Sequence, residues 1–324
     1  MKHLRKTVAL ILIAALLIPA FSVFAEREKP LIGIIQSMEH GALDAAREGF
    51  LDAMKDLGYV DGETITIDYR NAQGNQDVLA SIADHFVSEE VDMVLAITTP
   101  AAQTMAGKTE TIPILGTAIT DYVDARLAES NEKPGHNVSG TSDMSSISDQ
   151  IALLLRMVPD TKTVGLLYTA SEDNSVLQAR IAKEIIESQG LAYTEVTVQN
   201  SNDVQQATLS IVDKCDAIYI PTDNVFASAM PVVYEVAVQA KKPVVCGDTS
   251  MVKLGGIGTI AISYYNLGYQ TGAMADELLK GADISLMPIQ TQKEYEYVIN
   301  KTMCDAIGVA IPDDLLPYVI TMEE

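Results

Sequence analysis

Short apolar runs without polar alternation take turns with amphipathic segments from residue 31 onward. LIGII (31–35) is one such run, ALDAAREGFLDAMKDLG (42–58) repeats its apolar positions at helical spacing and stops at Gly58, and TITIDY (64–69) is the next run. Strands covered on both faces need the first pattern, and the helices that cover them need the second. The alternation continues through a helix at 76–89, a strand at MVLAI (93–97), a helix at 100–107 and a strand at IPILG (112–116). A turn-rich passage, NEKPGHNVSG (131–140), interrupts it. A second series follows: helix 147–157, strand TVGLLY (163–168), helix 174–189, strand 193–198, helix 203–213, strand AIYI (217–220), helix 224–240 and strand PVVCG (243–247). Strict strand–helix alternation predicts parallel sheets wrapped by helices, so the fold class is α/β with two doubly wound lobes.

The two series echo one another. VDMVLAITTPAAQ (91–103) and CDAIYIPTDNVFA (215–227) align Asp92 with Asp216, Thr98 with Thr222 and Thr99 with Asp223. The last 70 residues carry strand GIGTIAI (256–262), helix NLGYQTGAMADELLKG (266–281), strand YEYVI (295–299) and helix 300–307, too little for a third lobe. Their use is to complete both sheets by crossing between them as a multi-strand hinge. The expected organisation is residues 30–139 plus about 265–295 in lobe 1, and 140–263 plus about 296–324 in lobe 2.

The N-terminus changes the picture of where the chain works. Lys2, Arg5 and Lys6 precede the apolar run TVALILIAALLI (7–18), and Val23 and Ala25 are the small residues of a cleavage site. Residues 1–25 therefore read as a cleavable signal peptide; the rival reading, a retained membrane anchor, is less favoured because 12 apolar residues are short of the roughly 20 a spanning helix needs. The first cysteine is Cys215, so no lipobox precedes it, and the expected location is periplasmic or secreted. The whole chain carries a net charge of −22; residues 1–25 hold three basic and no acidic residues, so the mature charge is −25. Such a field repels nucleic acid and anionic membranes. Cys215, Cys246 and Cys304 are odd in number and widely spaced, as buried thiols are and a disulfide framework is not.

In open parallel sheets, ligands bind beyond the carboxyl ends of the strands. The residues there are Gln36, Ser37, Glu39 and His40; Thr98 and Thr99; Thr117; Ser171 to Ser175, including Asn174; Thr222, Asp223 and Asn224; and Asp248. The set is rich in hydroxyls and poor in cations, which suits a carboxylate plus an ammonium better than a phosphate. Threonine hydroxyls and helix N-termini can hold a carboxylate without lysine or arginine. An ammonium needs a formal negative charge, which Asp223 or Asp248 supplies. Tyr168 and Tyr264 are candidates to stack on a ligand side chain, whereas Tyr265 reads as packing. Each threonine, serine, asparagine and aspartate of the set is equally a helix-capping type.

Enzyme signatures are missing: no G-x-S-x-G, no Walker loop, no H-E-x-x-H, and GGIG (255–258) lacks the spacing of a phosphate cradle. His3, His40, His85 and His136 are scattered without metal-ligand spacing, and His40 reads as a solvated loop residue. A cysteine-pair racemase fails because Cys215 starts its strand, at the end away from the cleft. The expectation is no catalysis, no metal and no cofactor.

These residues carry a resemblance. IQSMEHGALDAAREGF (35–50), NAQGN (71–75), AITTPAAQ (96–103), SGTSD (139–143), YTASEDNSV (168–176), IPTDN (220–224) and VKLGGIGTIAISYYNLGYQTGAMADELLKG (252–281) look like the periplasmic substrate-binding proteins of ABC transporters. Within them the branch associated with tryptophan and tyrosine uptake is the most similar. The resemblance implies a type I periplasmic-binding, Venus-flytrap fold with three crossovers, a ligand trapped between lobes, an ABC permease with its ATPase as partner, and a monomer. It adds Asp143, the end of SGTSD, to the candidate ligand residues. Three positions depart from the expected pattern: Gly41 stands for proline, Thr169 for asparagine and Asp173 for alanine. The rivals are a ligand-sensing subunit of a membrane signalling system and a receptor for another small solute, such as a branched-chain amino acid or a nucleoside. A DNA-binding regulator would need a helix-turn-helix where the signal peptide stands.

Overall fold

A computed structural model describes residues 28–322, and the predicted signal peptide lies outside them. The first half runs β1 (Leu31–Gln36), α1 (Gly41–Asp56), β2 (Thr66–Asn71), α2 (Gln76–Ser88), β3 (Met93–Ile97), α3 (Thr99–Ala106), β4 (Ile114–Ile119) and β5 (Val138–Ser142). The second half runs α4 (Ile147–Met157), β6 (Thr163–Thr169), α5 (Asp173–Ser188), β7 (Ala192–Val198), α6 (Val204–Ile211), β8 (Ala217–Ile220), α7 (Asn224–Ser228), α8 (Met230–Ala240), β9 (Val244–Cys246), α9 (Thr249–Leu254) and β10 (Gly258–Ala261). The chain closes with α10 (Tyr264–Leu279), β11 (Gln290–Thr291), β12 (Glu296–Asn300), α11 (Lys301–Ile307) and β13 (Val319–Ile320).

Two sheets result. One has the order β11-β5-β4-β3-β1-β2, the other β13-β12-β10-β9-β8-β6-β7, and every pairing is parallel except β10 with β12. This is the two-lobe α/β architecture read from the alternation. Successive residues of β1 serve opposite faces: Ile32 and Ile34 join the core under α1 and α10, while Ile35 joins the core under α2 and α3. That is why the run is apolar without alternation. Three segments pass from one sheet to the other: 143–146, 262–263 and 292–295. The expected lobe boundary at 139/140 therefore falls inside β5, a strand hidden in the sequence by its hydroxyl- and glycine-rich VSGTS.

Helix α10 belongs with the first sheet because it lies hard against α1. A Cβ on Gly49 would sit 2.0 Å from the Tyr265 carbonyl oxygen, and one on Gly268 would sit 1.8 Å from that of Ala46. Only glycine permits this approach. The helix starts two residues earlier than its pattern suggested, with Ser263 accepting the Asn266 N–H, so Tyr264 and Tyr265 form its first turn. The single helix expected over 224–240 is broken at Ala229, just before Pro231, whose nitrogen has no proton to continue the ladder. The three cysteines are buried free thiols, and burial pushes Cys215 up to about 11. Among the described residues no helix is long and apolar enough to cross a membrane.

Candidate ligand-binding site

The carboxyl ends of both sheets face one another, and between them lies a small chamber of about 10 Å³. Lobe 1 contributes His40 and Leu43, Ala118 and Tyr264; the crossing after β5 contributes Asp143; lobe 2 contributes Asn174, Thr222, Asp223, Asn224 and Asp248. Toward solvent, two overlapping grooves of about 330 and 360 Å³ run between Ser37, Met38, Glu39 and Leu79 on one side and Ser171, Glu172 and Val225 on the other. The chamber has room for about one water-sized sphere, so a ligand enters it only as the lobes part.

Several lobe 1 positions are held in unusual backbone. Ala118 has φ 55° where β4 slips out of register with β5, and this bulge turns Ala118 into the chamber. Tyr122 fixes the bulge by donating its hydroxyl to the carbonyls of Gly116 (2.9 Å) and Thr141 (3.0 Å). Thr98, at φ 103°, caps α3 by accepting the Ala101 N–H. A buried β-branched residue at positive φ stores strain of the kind that collects at functional sites.

The acidic residues divide by what their oxygens already do. Asp223 is spent: it accepts the Thr169 N–H (2.6 Å), the Thr169 hydroxyl (2.8 Å) and the Phe226 N–H (2.9 Å), tying β6 to the start of α7. Glu172 Oε2 accepts from the Asn224 side-chain amide (2.8 Å), the Asn224 N–H (3.2 Å) and the Ser175 hydroxyl. Asp248 Oδ1 caps α9 through Met251 N and takes the Ser250 hydroxyl. Asp143 is different. Its Oδ2 accepts the Tyr264 hydroxyl at 2.7 Å, and its Oδ1 is buried without a partner.

Burial dominates the protonation of this cluster. It raises Asp143, against the opposing Tyr264 bond, and raises Asp223, against its N–H donors. It pushes Glu172 up to about 8, helped by the neighbouring Asp223 charge. His40 goes the other way: burial lowers it, and the attraction of Asp248 only partly offsets that. Burial also raises Tyr264.

Two more buried atoms of the chamber residues lack partners: His40 Nδ1 and Asn174 Oδ1. Asn174 spends its Nδ2 on the Thr222 carbonyl (3.1 Å), which leaves the oxygen facing inward as an acceptor. The hydroxyls of Ser37 and Thr99 are likewise buried and unpartnered, beneath the lobe 1 lip. An unmade hydrogen bond at a buried polar atom costs about 1–3 kcal/mol, so five such atoms at one cleft mark a recognition surface. Among the described residues no group of three or more His, Cys, Asp or Glu side chains is placed to hold a metal ion.

Of the residues expected from sequence, Asp143, Asn174, Thr222, Asp223, Asn224, Asp248 and Tyr264 line the chamber, and Ser37, Glu39 and Ser171 line the outer grooves. Thr98, Thr99, Thr117 and Ser175 are buried just behind these surfaces; Thr117 accepts the Thr141 hydroxyl. Tyr168 is elsewhere: its hydroxyl goes to Glu195 on β7, with the Lys183 ammonium over its ring. Asp173 faces neither chamber nor open solvent alone but accepts from Gln103 of the other lobe at 2.8 Å. Ala118 was outside the expected set, and His40 was in it only as a solvated loop residue. His40 is a chamber wall instead of a solvated loop residue, because α1 begins at Gly41 and turns the preceding ring inward.

Bonds across the cleft show that the lobes are shut: His40 to Asn224, Asp173 to Gln103, Gln178 to Thr120 and Arg180 to Asp124. Known structures agree. The chain superposes with a TM-score of 0.87 on an ABC domain from Streptococcus pneumonia in complex with L-Trp, at 34% identity over 91% of this chain and 100% of that one. On a ligand-free, open substrate binding protein from Clostridium difficile the TM-score falls to 0.69, although identity rises to 40% at the same coverage. Higher identity with lower superposition is what a different lobe arrangement of the same fold produces. Among curated proteins, a tyrosine-binding protein of Clostridioides difficile is 41% identical over 289 residues, 89% of this chain and 84% of that one. The family model for ABC transporter substrate binding proteins matches residues 31–322, the whole of both lobes. With two lobes shut over a polar chamber and this match from end to end, the chain belongs to the ABC transporter substrate binding protein family.

Proposed function

We propose that this protein captures an aromatic amino acid between its lobes and hands it to a membrane permease driven by an ATPase. One observation carries the ligand chemistry. Three buried acceptors without partners, Asp143 Oδ1, Asn174 Oδ1 and His40 Nδ1, belong to the walls of one chamber. An ammonium group has three N–H donors, and a carboxylate among the acceptors supplies the charge. The ligand carboxylate then faces the opposite requirement, which the Ser37 and Thr99 hydroxyls meet. Leu43, Ala118 and the Tyr264 ring make the apolar wall for the side chain. The names of the tyrosine-binding relative and of the L-Trp complex support an aromatic one.

In this reading the protein works outside the cytoplasm as a monomer, after loss of its leader, and does not turn its ligand over. Since the shut chamber holds about one water-sized sphere, the bound form widens it toward the outer grooves while keeping contacts to both lobes, and ligand shifts the equilibrium by the affinity those contacts add over the open form. A thermal-shift screen of amino acids, nucleosides and sugars tests it. Tyr, Trp or Phe at 100 times Kd should stabilise the protein by about 2.7 kcal/mol. No shift with any amino acid refutes the ligand class, and a shift with a nucleoside or sugar alone replaces it.

A further inference from the structure

A hydrogen-bonded chain of three side chains runs from the outer groove to the inner chamber. Glu172, on the groove side, accepts the Asn224 Nδ2–H at 2.8 Å and the Asn224 backbone N–H at 3.2 Å. With its nitrogen so pinned, the Asn224 amide must turn its oxygen to the opposite lobe. There Oδ1 lies 3.3 Å from His40 Nε2. An acceptor in that place selects the imidazole tautomer with the proton on Nε2, which leaves Nδ1 as a bare acceptor in the chamber wall. His40 makes no helix-capping bond, although it occupies the N-cap of α1. Its polar atoms are thus committed to the cleft and not to holding its own lobe.

We propose that His40 is the clasp of this cleft: by bonding the Glu172-held Asn224 across the lobes, it shuts the chamber from the groove and sets how fast ligand leaves. The clasp can form only when the lobes are closed, because its two halves lie on different lobes. Glu172 acts one step back, as the positioning residue that keeps the Asn224 oxygen aimed outward from lobe 2. The inference rests on the chamber being the ligand site, but the His40 bond itself needs no particular ligand.

Two measurements test it together. A spin-label pair, one label on each lobe, reports the closed fraction in protein without added ligand, and stopped-flow reports the dissociation rate of L-tryptophan. The protein contains no tryptophan, so the ligand's own fluorescence reads against a dark background. Loss of one buried hydrogen bond of about 1 kcal/mol predicts about a fivefold fall in the closed-to-open ratio and about a fivefold faster release for His40→Ala. His40→Gln, which can again donate to Asn224, should recover most of both. A closed fraction indifferent to His40, zero in all variants included, overturns the clasp whatever binds. Equal tryptophan release from wild type and His40→Ala overturns it too. A His40-dependent closed fraction with no binding of Trp, Tyr or Phe refutes the aromatic ligand and leaves the clasp standing.

Discussion

The two lips of the cleft are built from the same strand–loop–helix unit and use it for opposite chemistry. On lobe 1, β3 leads into α3 through Thr98 and Thr99; Thr98 and Pro100 leave few N–H groups free in the first turn, and the loop offers the unpartnered Thr99 hydroxyl. On lobe 2, β8 leads into α7 through Thr222 and Asp223, and the loop offers a carboxylate with an amide beside it. Both caps obey the same rule, since a side-chain oxygen accepts an N–H of the first turn. In Thr98 the capping oxygen carries no charge; in Asp223 it does, and the charge is fully occupied by its own lobe. The lesson is that a charged residue at a strand end is not thereby a ligand contact. A buried carboxylate oxygen left free is that of Asp143, on the crossing between lobes, where a charge can serve whatever both lobes enclose.

The largest effect should separate these two aspartates. Asp143→Asn removes a chamber carboxylate with a buried, unpartnered oxygen, and should weaken binding of an aromatic amino acid by about 100-fold, about 3 kcal/mol. Calorimetric titration checks it, and unperturbed affinity would return the ammonium to lobe 2. The same substitution should leave the ligand-free melting temperature unchanged or higher, because it removes a buried charge.

Asp223→Ala should do the reverse. It takes away a cap and two bonds to Thr169, so ligand-free stability should fall by about 2 kcal/mol in urea unfolding. A variant as stable as wild type that has lost all binding would make Asp223 the ammonium partner after all.

The protonation of lobe 2 gives a third, smaller test. The folded-state value of Glu172, about 8, lies above the ordinary carboxylate range, so the folded protein keeps a proton that the unfolded chain releases above about 4.5. The resulting stability is complete below the unfolded value and is lost as pH rises through about 8. Asp143 and Asp223, also raised, act in the same sense. Melting temperature without ligand should therefore decline between pH 5 and 8 in this acidic protein. The slope has an upper bound of about 1.4 kcal/mol per pH unit for one proton, and Glu172→Gln should flatten it. A slope identical in that variant would assign the proton elsewhere.

Least in size is the effect on the lobe 1 lip. Thr99→Val deletes a buried hydroxyl without a partner, so stability should hold or rise, while affinity for the amino acid drops about fivefold if that hydroxyl meets the carboxylate. Unchanged affinity would reduce Thr99 to packing and leave Ser37 as the carboxylate contact.

Much of this contrast was legible in the chain. Runs such as MVLAI and AIYI marked central strands; because parallel strands end on one side of their sheet, Thr222, Asp223 and Asn224 after AIYI line the chamber, whereas Thr98 and Thr99 after MVLAI lie buried behind it. β5 was not legible, since VSGTS has neither an apolar run nor alternation; its strand state comes from pairing between β4 and β11. His40 stood in the strand-end set but read as a solvated loop residue because its neighbours Glu39 and Gly41 read as loop, and only closure of the second lobe buries the ring. Tyr168 was overvalued for the converse reason: its strand position was right, but its side chain finds Glu195 and Lys183 away from the chamber.

The sequence by itself determined the two α/β lobes, the crossing design of the last 70 residues and a cleft of hydroxyls and acids without cations. Those depend on periodicity and residue type, which are local. Tertiary structure decided which polar atoms are used up within a lobe and which remain to face a partner. That distinction separates Asp143 from Asp223, joins His40 to Asn224 and turns Asp173 toward Gln103. Hydrogen bonds between residues far apart in the chain exist only once the lobes have formed and shut, and no local pattern encodes how many of a carboxylate's oxygens they will consume.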